Sequence, residues 1–241
     1  MPTLLRQGSR GFDVVVLQVQ LNAKGAQPRL KVDGDFGSRT HAAVVAFQRQ
    51  NRLSPDGVAG PITQAALAQG SPVTSANHNV THIPQPTPTT CWAASTAMMT
   101  RSNVPAVLAR TPASMIASDG GLRNSSESDQ GANSGARYAA VHGLRCYPPM
   151  SWSVGGLLGK LQRSPLMFDM LWNSTEYAAG KGSPGHMIVV SAFVSDNQPT
   201  GQGTHLLVLD PWPPNRGKIS WVEYQAWMLD VPTRTYRVFE R

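Results

Sequence analysis

The sequence contains only two cysteines, Cys91 and Cys146, among 241 residues. Two thiols cannot build the disulfide framework of a small secreted scaffold, and they exclude a zinc site with four cysteine ligands. A single bridge between Cys91 and Cys146 remains formally open. Such a bridge would consume a thiol that the surrounding sequence makes reactive.

Long apolar runs are also missing from the sequence. No stretch of about 18 apolar residues occurs, so no membrane span is predicted. The residues Met1–Gly8 lack the apolar core of a secretory signal, which predicts that export, if it occurs, does not use a Sec signal. With 41% hydrophobic residues, the chain is globular in composition and long enough for one large domain or two small ones.

Acidic residues are outnumbered by basic ones. The 21 Lys and Arg residues against 14 Asp and Glu give a formal charge of +7, which favours polyanionic partners such as nucleic acid, anionic lipid or cell-wall polymer. The basic residues are scattered, without a recognition motif or an aromatic platform. We therefore expect no binding of nucleic acid.

A short repeat organises the N-terminal part of the chain. The pattern D-G-x-x-G-x-x-T occurs at residues 33–40 and again at residues 56–63. Each copy leads into a predicted helix, Ser38–Gln50 and Pro61–Ala68. An earlier helix is predicted from apolar residues at helical spacing, Val14, Leu17 and Leu21. Taken singly, the Asp-Gly pairs are more simply explained as turns.

The repeat and its surroundings resemble the three-helix peptidoglycan-binding domain of many bacterial wall hydrolases. The resemblance implies that residues 1–70 form a module that binds wall peptides or glycan, although some members of that family serve as spacers or as protein-interaction modules. It rests on Leu17-Gln18, Leu21, Asp33-Gly34-Asp35-Phe36-Gly37, Thr40, Ala46-Phe47-Gln48, Leu53, Asp56-Gly57 and Gly60.

Residues 71–84 are rich in Pro, Ser and Thr and predict a linker, so a second domain is expected over residues 85–241. The small apolar segment Cys91–Met99 is compatible with a buried helix that Thr89 or Thr90 can cap. At this helix N-terminus the macrodipole is expected to lower the pKa of the Cys91 thiol and favour a nucleophilic thiolate. A lone buried cysteine without such surroundings is more often a core residue.

His186 and Asp210 are the predicted base and orienting group for Cys91. His186 opens the apolar run Met187–Val194, which predicts a buried strand, and Asp210 follows the predicted return strand Leu206–Leu209. Two neighbouring antiparallel strands would place the carboxylate beside the imidazole and fix its tautomer.

Two further residues bear on this site. Gln85 stands six positions before Cys91, and its side-chain amide can donate to an oxyanion together with the Cys91 N–H. His205 is the rival base. Its offset of five from Asp210 puts the two side chains on opposite faces of the strand, which favours His186.

The remaining elements predict helices followed by a sheet. Helices are expected over Gly135–His142, with His142 at a C-terminal cap or on the surface, and over Ser153–Arg163. A capping box at Ser220–Glu223 predicts a short helix to about Met228. Strands are expected over Pro165–Trp172 and Thr235–Phe239, giving an α+β domain.

The order of these residues resembles the papain-like cysteine proteases, nearest to the bacterial avirulence-type effector proteases and more distantly to the bacteriocin-processing peptidases. The resemblance is carried by Gln85, Cys91-Trp92-Ala93, Gly185-His186 before an apolar strand, and Asp210-Pro211-Trp212. It implies helices with an antiparallel sheet and a Cys-His-Asp hydrolysis of peptide or amide bonds, with Gln85 at the oxyanion and neither metal nor cofactor. An Asp replaces the Asn of plant papain.

Together the two resemblances predict a cysteine peptidase positioned at the bacterial cell wall, with protein or peptidoglycan peptide as substrate. The first expectation is an effector or antibacterial toxin, made in the bacterial cytoplasm and exported without a Sec signal to the periplasm of a target cell or to a host cell. A secretion-system component and an immunity protein would then be partners. The alternatives are a peptidoglycan amidase or phage endolysin, and a non-catalytic wall-binding protein with a degenerate hydrolase domain.

Overall fold

The computed structural model describes residues 3–70, 72–123, 135–148, 152–171, 185–230 and 236–241. The fold is α+β, with a helical N-terminal region and an antiparallel sheet, as the sequence predicts. The chain divides into two compact units. The first unit joins the residues up to 77 with 193–206 and 221–226, and the second joins 78–192, 207–220 and 227–241.

Three helices form the N-terminal part of the first unit: α1 (Phe12–Ala23), α2 (Ser38–Gln50) and α3 (Pro61–Ala68). The predicted bounds of α2 and α3 are confirmed. Pro61 occupies the first turn of α3, where its missing N–H leaves no bond unmade. The helices enclose an apolar core made of Leu5, Val14, Leu17, Leu21, Leu30, Phe36, Val44, Phe47, Ala59 and Leu67.

A buried glutamine on α1 holds the first copy of the repeat. The Nε2 of Gln18 donates to Asp33 Oδ1 at 3.0 Å and to Thr40 Oγ1 at 3.3 Å. Its Oε1 accepts the N–H of Gly34 at 2.9 Å. The spacing of the repeat therefore lets the single side chain of Gln18 bind both the turn at residues 33–34 and the start of α2.

The second copy is built in the same way around a glutamine on α2. Gln48 Nε2 donates to Asp56 Oδ1 at 2.8 Å and to Thr63 Oγ1 at 3.1 Å, and its Oε1 accepts the N–H of Gly57 at 2.9 Å. The Asp-Gly pairs are thus turn residues, and their side chains and amides also satisfy a buried carboxamide.

A second apolar cluster completes the first unit. Val15 and Val19 on α1 pack with Val194, and the rings of Phe12 and Trp221 lie 6.0 Å apart. Helix α1 therefore buries two faces, one against the other helices and one against residues that are distant in sequence.

The remaining helices are α4 (Cys91–Thr100), α5 (Val104–Arg110), α6 (Gly135–His142), α7 (Val154–Leu161) and α8 (Tyr224–Asp230). The described strands are β1 (Thr74–Asn77), β2 (Arg145–Tyr147), β3 (Leu166–Leu171), β4 (Gly185–Ser195), β5 (Thr204–Asp210), β6 (Lys218–Glu223) and β7 (Tyr236–Glu240). The sheet order is β2-β7-β3-β4-β5-β6, and β1 also pairs with β4. The stretch predicted as a linker thus contains a strand.

The core of the second unit lies between α4 and the sheet. Nine consecutive residues of α4, Cys91–Met99, are buried, as expected for a small apolar helix. They pack with residues of β3, β4, β5 and β7, among them Met167, Met187, Leu209 and Phe239. This packing places the first residue of α4 next to the beginning of β4.

One local prediction is wrong, and one of the two alternatives for His142 is excluded. Residues 218–223 form strand β6, and helix α8 begins only at Tyr224, so Ser220 does not start a helix. Ile219, Trp221 and Val222 favour a strand, and pairing with β5 outweighs the local capping box. His142 does end α6, but it is 5% exposed and bonded to Thr111 Oγ1 at 3.0 Å, so it is not a surface residue.

Other predictions extend past the described residues. Trp172 and Thr235, at the ends of two predicted strands, and the loop 180–184 before His186 lie outside them. Both cysteines are free thiols. None of the helices in the described ranges is long and apolar enough to cross a membrane.

Candidate active site

A cavity of about 500 Å³ in the second unit opens at the N-terminus of α4. Cys91 and His186 both line this cavity. Its other walls are formed by Pro88, Thr89, Trp92, Ala117, Asp119, Gly121, Leu122, Asp169, Gly185, Met187 and Trp212.

Cys91 is the first residue of α4 and is 7% exposed. Its position is fixed by the packing of α4 on β4, where Ser95 Oγ donates to the Met187 carbonyl at 2.8 Å. Thr90 occupies the N-cap, but its side chain makes no capping bond. The Cys91 thiol is directed at the Gly185 carbonyl, with 3.9 Å between sulfur and oxygen.

The environment of Cys91 favours the thiol over the thiolate. Burial raises the pKa of Cys91 to about 11, and the negative charges of Asp169 and Asp210 act in the same direction. The backbone N–H groups of Met187 and Trp92 lower this pKa, but by less. The N–H groups thus act in the direction expected of the helix start, but the net shift of the pKa is upward, because desolvation is the larger effect.

His186 and Asp210 are joined directly. His186 Nε2 lies 2.7 Å from Asp210 Oδ1, an ion-pair distance across the neighbouring strands β4 and β5. The same Oδ1 accepts the backbone N–H of Trp212 at 2.9 Å. When Nε2 carries the proton that the carboxylate accepts, Nδ1 is the basic nitrogen of the imidazole.

Gln85 is placed differently from the expectation. It is completely buried, and its Nε2 donates to the Thr87 carbonyl at 2.7 Å. Its Oε1 has no hydrogen-bond donor within the described ranges, and Gln85 is not among the residues that line the cavity. The main chain of Gln85 is anchored near the orienting residue, because its N–H donates to the Pro211 carbonyl at 3.0 Å.

The rival base, His205, lies in the first unit on β5 and does not line the cavity. It is 8% exposed, and its Nδ1 has no hydrogen-bond partner in the described part of the chain. Burial lowers the pKa of His205, which disfavours its charged form.

Two residues at the site were missed by the sequence reasoning. His82, assigned only to the linker, contacts the Asp210 carbonyl through Nε2 at 2.8 Å. Asp169 lines the cavity although it lies in the apolar strand β3. The presence of a charged residue within this apolar segment could have indicated that Asp169 is a candidate site residue. No local pattern links His82 to Asp210, which is 128 positions away.

The described residues hold no group of three or more His, Cys, Asp or Glu side chains arranged to bind a metal ion. The cavity brings together the Cys91 thiol and the His186 imidazole, which is bonded to a carboxylate. This set suits nucleophilic attack by sulfur with proton transfer to a nitrogen base.

Comparison with protein families gives two matches. Residues 74–228 match the family described as "Papain-like cysteine protease AvrRpt2", and residues 10–67 match the "Putative peptidoglycan binding domain" family. The first match spans more than half of the chain and includes Gln85, Cys91, His186 and Asp210.

Similar curated proteins include two bacterial amidases. The N-acetylmuramoyl-L-alanine amidase CwlL of Bacillus licheniformis is 28% identical over 148 residues, 59% of this chain and 41% of that protein. The N-acetylmuramoyl-L-alanine amidase CwlM of Mycobacterium tuberculosis is 44% identical over 57 residues, 24% of this chain and 14% of that protein. The chain thus spans less than half the length of these relatives.

Solved structures also resemble parts of the chain. The SleB N-terminal domain is 36% identical and covers 29% of this chain and 93% of its own, with a TM-score of 0.28. A C39-like peptidase from Bacillus anthracis is 12% identical and covers 70% of this chain and 98% of its own, with a TM-score of 0.40.

Proposed function

Because the chain belongs to the AvrRpt2 family of papain-like cysteine proteases, we propose that it hydrolyses peptide or amide bonds with Cys91 as the nucleophile. The observation that carries this proposal is the 2.7 Å contact between His186 Nε2 and Asp210 Oδ1, made by an imidazole that shares a cavity with the Cys91 thiol. His186 is the base and later the acid, and Asp210 is the positioning residue.

The raised pKa of Cys91 determines how the reaction starts. A thiol with a pKa of about 11 is protonated at neutral pH, so His186 removes the proton as the sulfur attacks the carbonyl carbon. Asp210 stabilises the imidazolium that forms and keeps the ring oriented. The proton that leaves the sulfur is thereby stored on His186 for the next step.

The carbonyl oxygen becomes an oxyanion when the carbon–sulfur bond forms. The N–H of Cys91, at the first position of α4, is one of the helix N–H groups without an intrahelical acceptor and suits this oxygen. We propose the Gln85 amide as the second donor, because its Nε2 carries two hydrogens and donates one of them to the Thr87 carbonyl. His186 then protonates the leaving amine, and water hydrolyses the thioester to release the acid.

The peptidoglycan-binding domain suggests where the enzyme acts. We propose that residues 1–70 hold it at the cell wall and that it is an effector or toxin, exported without a Sec signal to a target cell or host. A secretion-system component and an immunity protein would be its protein partners. Its substrate is then a protein of the envelope or host.

A second candidate substrate is the peptide of peptidoglycan itself. It is favoured by the similarity to CwlL, which extends over 148 residues and therefore beyond the length of the peptidoglycan-binding match. In that case the enzyme would be a wall amidase or an endolysin that uses the same thiol chemistry.

Mass spectrometry separates the two substrates. Purified peptidoglycan and a bacterial lysate are incubated with the full chain and, as the matched control, with Cys91→Ala. New muropeptides indicate an amidase, and discrete protein fragments with new termini indicate a protease. Products that also form with Cys91→Ala would overturn the assignment of the nucleophile.

A further inference from the structure

Asp169 lies where the fold calls for an apolar residue. It is opposite Met187 on β4 and Arg237 on β7. Directly opposed residues share a face of the sheet, so the Asp169 side chain lies on the same face as Met187, which belongs to the buried core. Met167, two positions earlier on that face, is fully buried in the same core. Packing alone would be served by an apolar side chain at position 169.

The charge of Asp169 is incompletely compensated. The carboxylate is 7% exposed, and its Oδ2 lies 3.8 Å from a guanidinium nitrogen of Arg237, longer than the roughly 2.8 Å of a hydrogen-bonded ion pair. Burial raises the pKa of Asp169 to about 6, while Arg237 acts against this shift without cancelling it. A buried carboxylate is costly unless it is well paired.

Asp169 lines the larger cavity, where a ligand can contact its carboxylate. Among the described residues that line it, the acidic side chains are Asp119 and Asp169, and none is Lys or Arg. Arg123 and Arg237 line a smaller neighbouring cavity instead, which shares Asp169. Trp212, which is 37% exposed, also lines the larger cavity, and aromatic rings attract cations. The cavity therefore favours a positively charged group.

We propose that Asp169 determines specificity by binding a positively charged group of the substrate, an ammonium or a guanidinium, beside the bond that Cys91 attacks. This proposal rests on the proposed hydrolase function and names the substrate class of the same site. The cation is the side chain of a basic residue or a free amino group of a peptide.

Binding of such a cation would also act on the nucleophile. The negative charge of Asp169 is one of the causes that raise the pKa of the Cys91 thiol. A cation bound to Asp169 neutralises that charge and removes part of the opposition to a thiolate. A basic substrate therefore promotes the attack by the thiol in addition to binding beside it.

Substrate-like electrophiles test this specificity without a known substrate. The probes are acetyl-lysyl vinyl sulfone, its norleucyl analogue, which has the same carbon chain without the ammonium, and a glycyl vinyl sulfone with a free amino group. The second-order rate constant for modification of Cys91 is measured by intact-protein mass spectrometry. The lysyl or the free-amine probe should react at least about 10-fold faster than the norleucyl probe, equivalent to roughly 1.4 kcal/mol. The faster of these two charged probes shows whether the cation comes from a basic side chain or from a free amino group.

The variant Asp169→Asn should abolish this preference, and it should raise the norleucyl rate, because it also removes a negative charge that raises the pKa of the Cys91 thiol. Asp119→Asn is the matched control, because Asp119 is an exposed carboxylate on the same cavity, and it should reduce the preference by less. If Asp169→Asn fails to fold, the pH dependence of the ratio between the lysyl and norleucyl rates in the unaltered protein tests the role of Asp169. The ratio of rates should rise between pH 5 and pH 7 as Asp169 ionises.

A ratio of two probes suits this site, because both probes depend equally on Cys91 and His186. Asp169 shares the larger cavity with Asp119, His186 and Cys91 and the smaller one with Arg237, Arg123 and Tyr138. Its charge also raises the pKa of Cys146. The proposal would be overturned by equal rates for the charged and neutral probes. It would also be overturned if the preference persists in Asp169→Asn, or if it disappears only in Asp119→Asn. If iodoacetamide still modifies Cys91 in a manner that depends on His186, the hydrolase function survives that failure; if it does not, both fall.

Discussion

The buried Cys91 thiol is not acidic enough to form a thiolate at neutral pH without a base. Its first position on α4 provides a favourable dipole, yet burial holds the pKa at about 11. The residue type and helix position could be predicted from the sequence, because they depend on neighbours along the chain. The desolvation could not, because it comes from the packing of α4 against strands that are distant in the sequence, and neither could the effect of the Asp169 charge on β3.

Asp169 is a buried carboxylate whose ionisation costs stability. Its pKa of about 6 lies above the ordinary value of 3.8. Between these values the folded state keeps the proton that the unfolded state releases. The stability associated with the protonated form is therefore present below pH 3.8 and is lost as the pH rises to about 6.

The variant Asp169→Asn should remove this pH-dependent loss, because asparagine does not ionise. The increase in its free energy of unfolding over the unaltered protein should be larger at pH 7.5 than at pH 4 by on the order of 2–3 kcal/mol. Urea unfolding at the two pH values measures the difference. Asp119→Asn, at an exposed position, should show little change, and an Asp169→Asn effect that is the same at both pH values would contradict the prediction.

For the helices and strands, apolar periodicity and turn residues predicted the bounds that depend on local sequence. The bounds of α2 and α3 agree with the Gly and Pro signals at their starts, and the strand after His186 agrees with its apolar run. Strand β6 was assigned to a helix because a local capping box competes with pairing to β5, which the sequence does not display.

The glutamine of each repeat should be a main source of stability for its turn. Gln48→Ala removes the carboxamide that binds Asp56 and Thr63 and leaves the Gly57 N–H without its acceptor. The expected loss is about 1–3 kcal/mol in the free energy of unfolding. Gln50→Ala, at an exposed position of the same helix, is the control and should stay within about 0.5 kcal/mol. Equal effects of the two substitutions in urea unfolding would refute this role.

The turn after β5 should help to hold Asp210, which orients His186, in its position. Gly217 has φ +59°, and a Cβ there would lie 2.2 Å from His82 Cε1 and 2.8 Å from the Asp210 carbonyl oxygen. Gly217→Ala should therefore displace the end of β5 and lower both the thermal stability and the rate of Cys91 alkylation by iodoacetamide.

Gly143 offers a matched control for that substitution. Its φ is +67°, but a Cβ there would meet nothing within 4 Å. Gly143→Ala should cost a comparable backbone strain of about 1 kcal/mol while the alkylation of Cys91 stays unchanged. If both variants lose Cys91 reactivity to the same degree, the contact with Asp210 is not the cause.

At the scale of the whole molecule, the sequence predicted a helical module followed by an α+β hydrolase-like domain, and the family matches agree with both. The substrate could not be predicted, because specificity depends on which side chains of distant elements line one cavity. Asp169 and Trp212 meet Cys91 there only through the arrangement of the sheet.

Wall binding by the full chain is a prediction at this scale. Cys91→Ala protein should co-sediment with purified peptidoglycan, and binding should persist in 0.5 M NaCl, where exposed charges are screened beyond a few ångströms. Peptidoglycan stripped of anionic polymers is the comparison. Release by salt, or loss of binding to the stripped wall, would mean that the +7 charge and not the module is responsible.

The most direct test of the central claim is the pH dependence of Cys91 alkylation by iodoacetamide, followed at the level of single residues by mass spectrometry. Cys146 is an internal reference, because burial raises its pKa to about 11 as well. In the unaltered protein, Cys91 should react much faster than Cys146 at pH 7, since His186 accepts its proton. In His186→Ala this advantage should vanish, and the rate should rise only towards pH 11. Equal reactivity of the two thiols in the unaltered protein, or an advantage that survives in His186→Ala, would contradict a Cys91–His186 hydrolase.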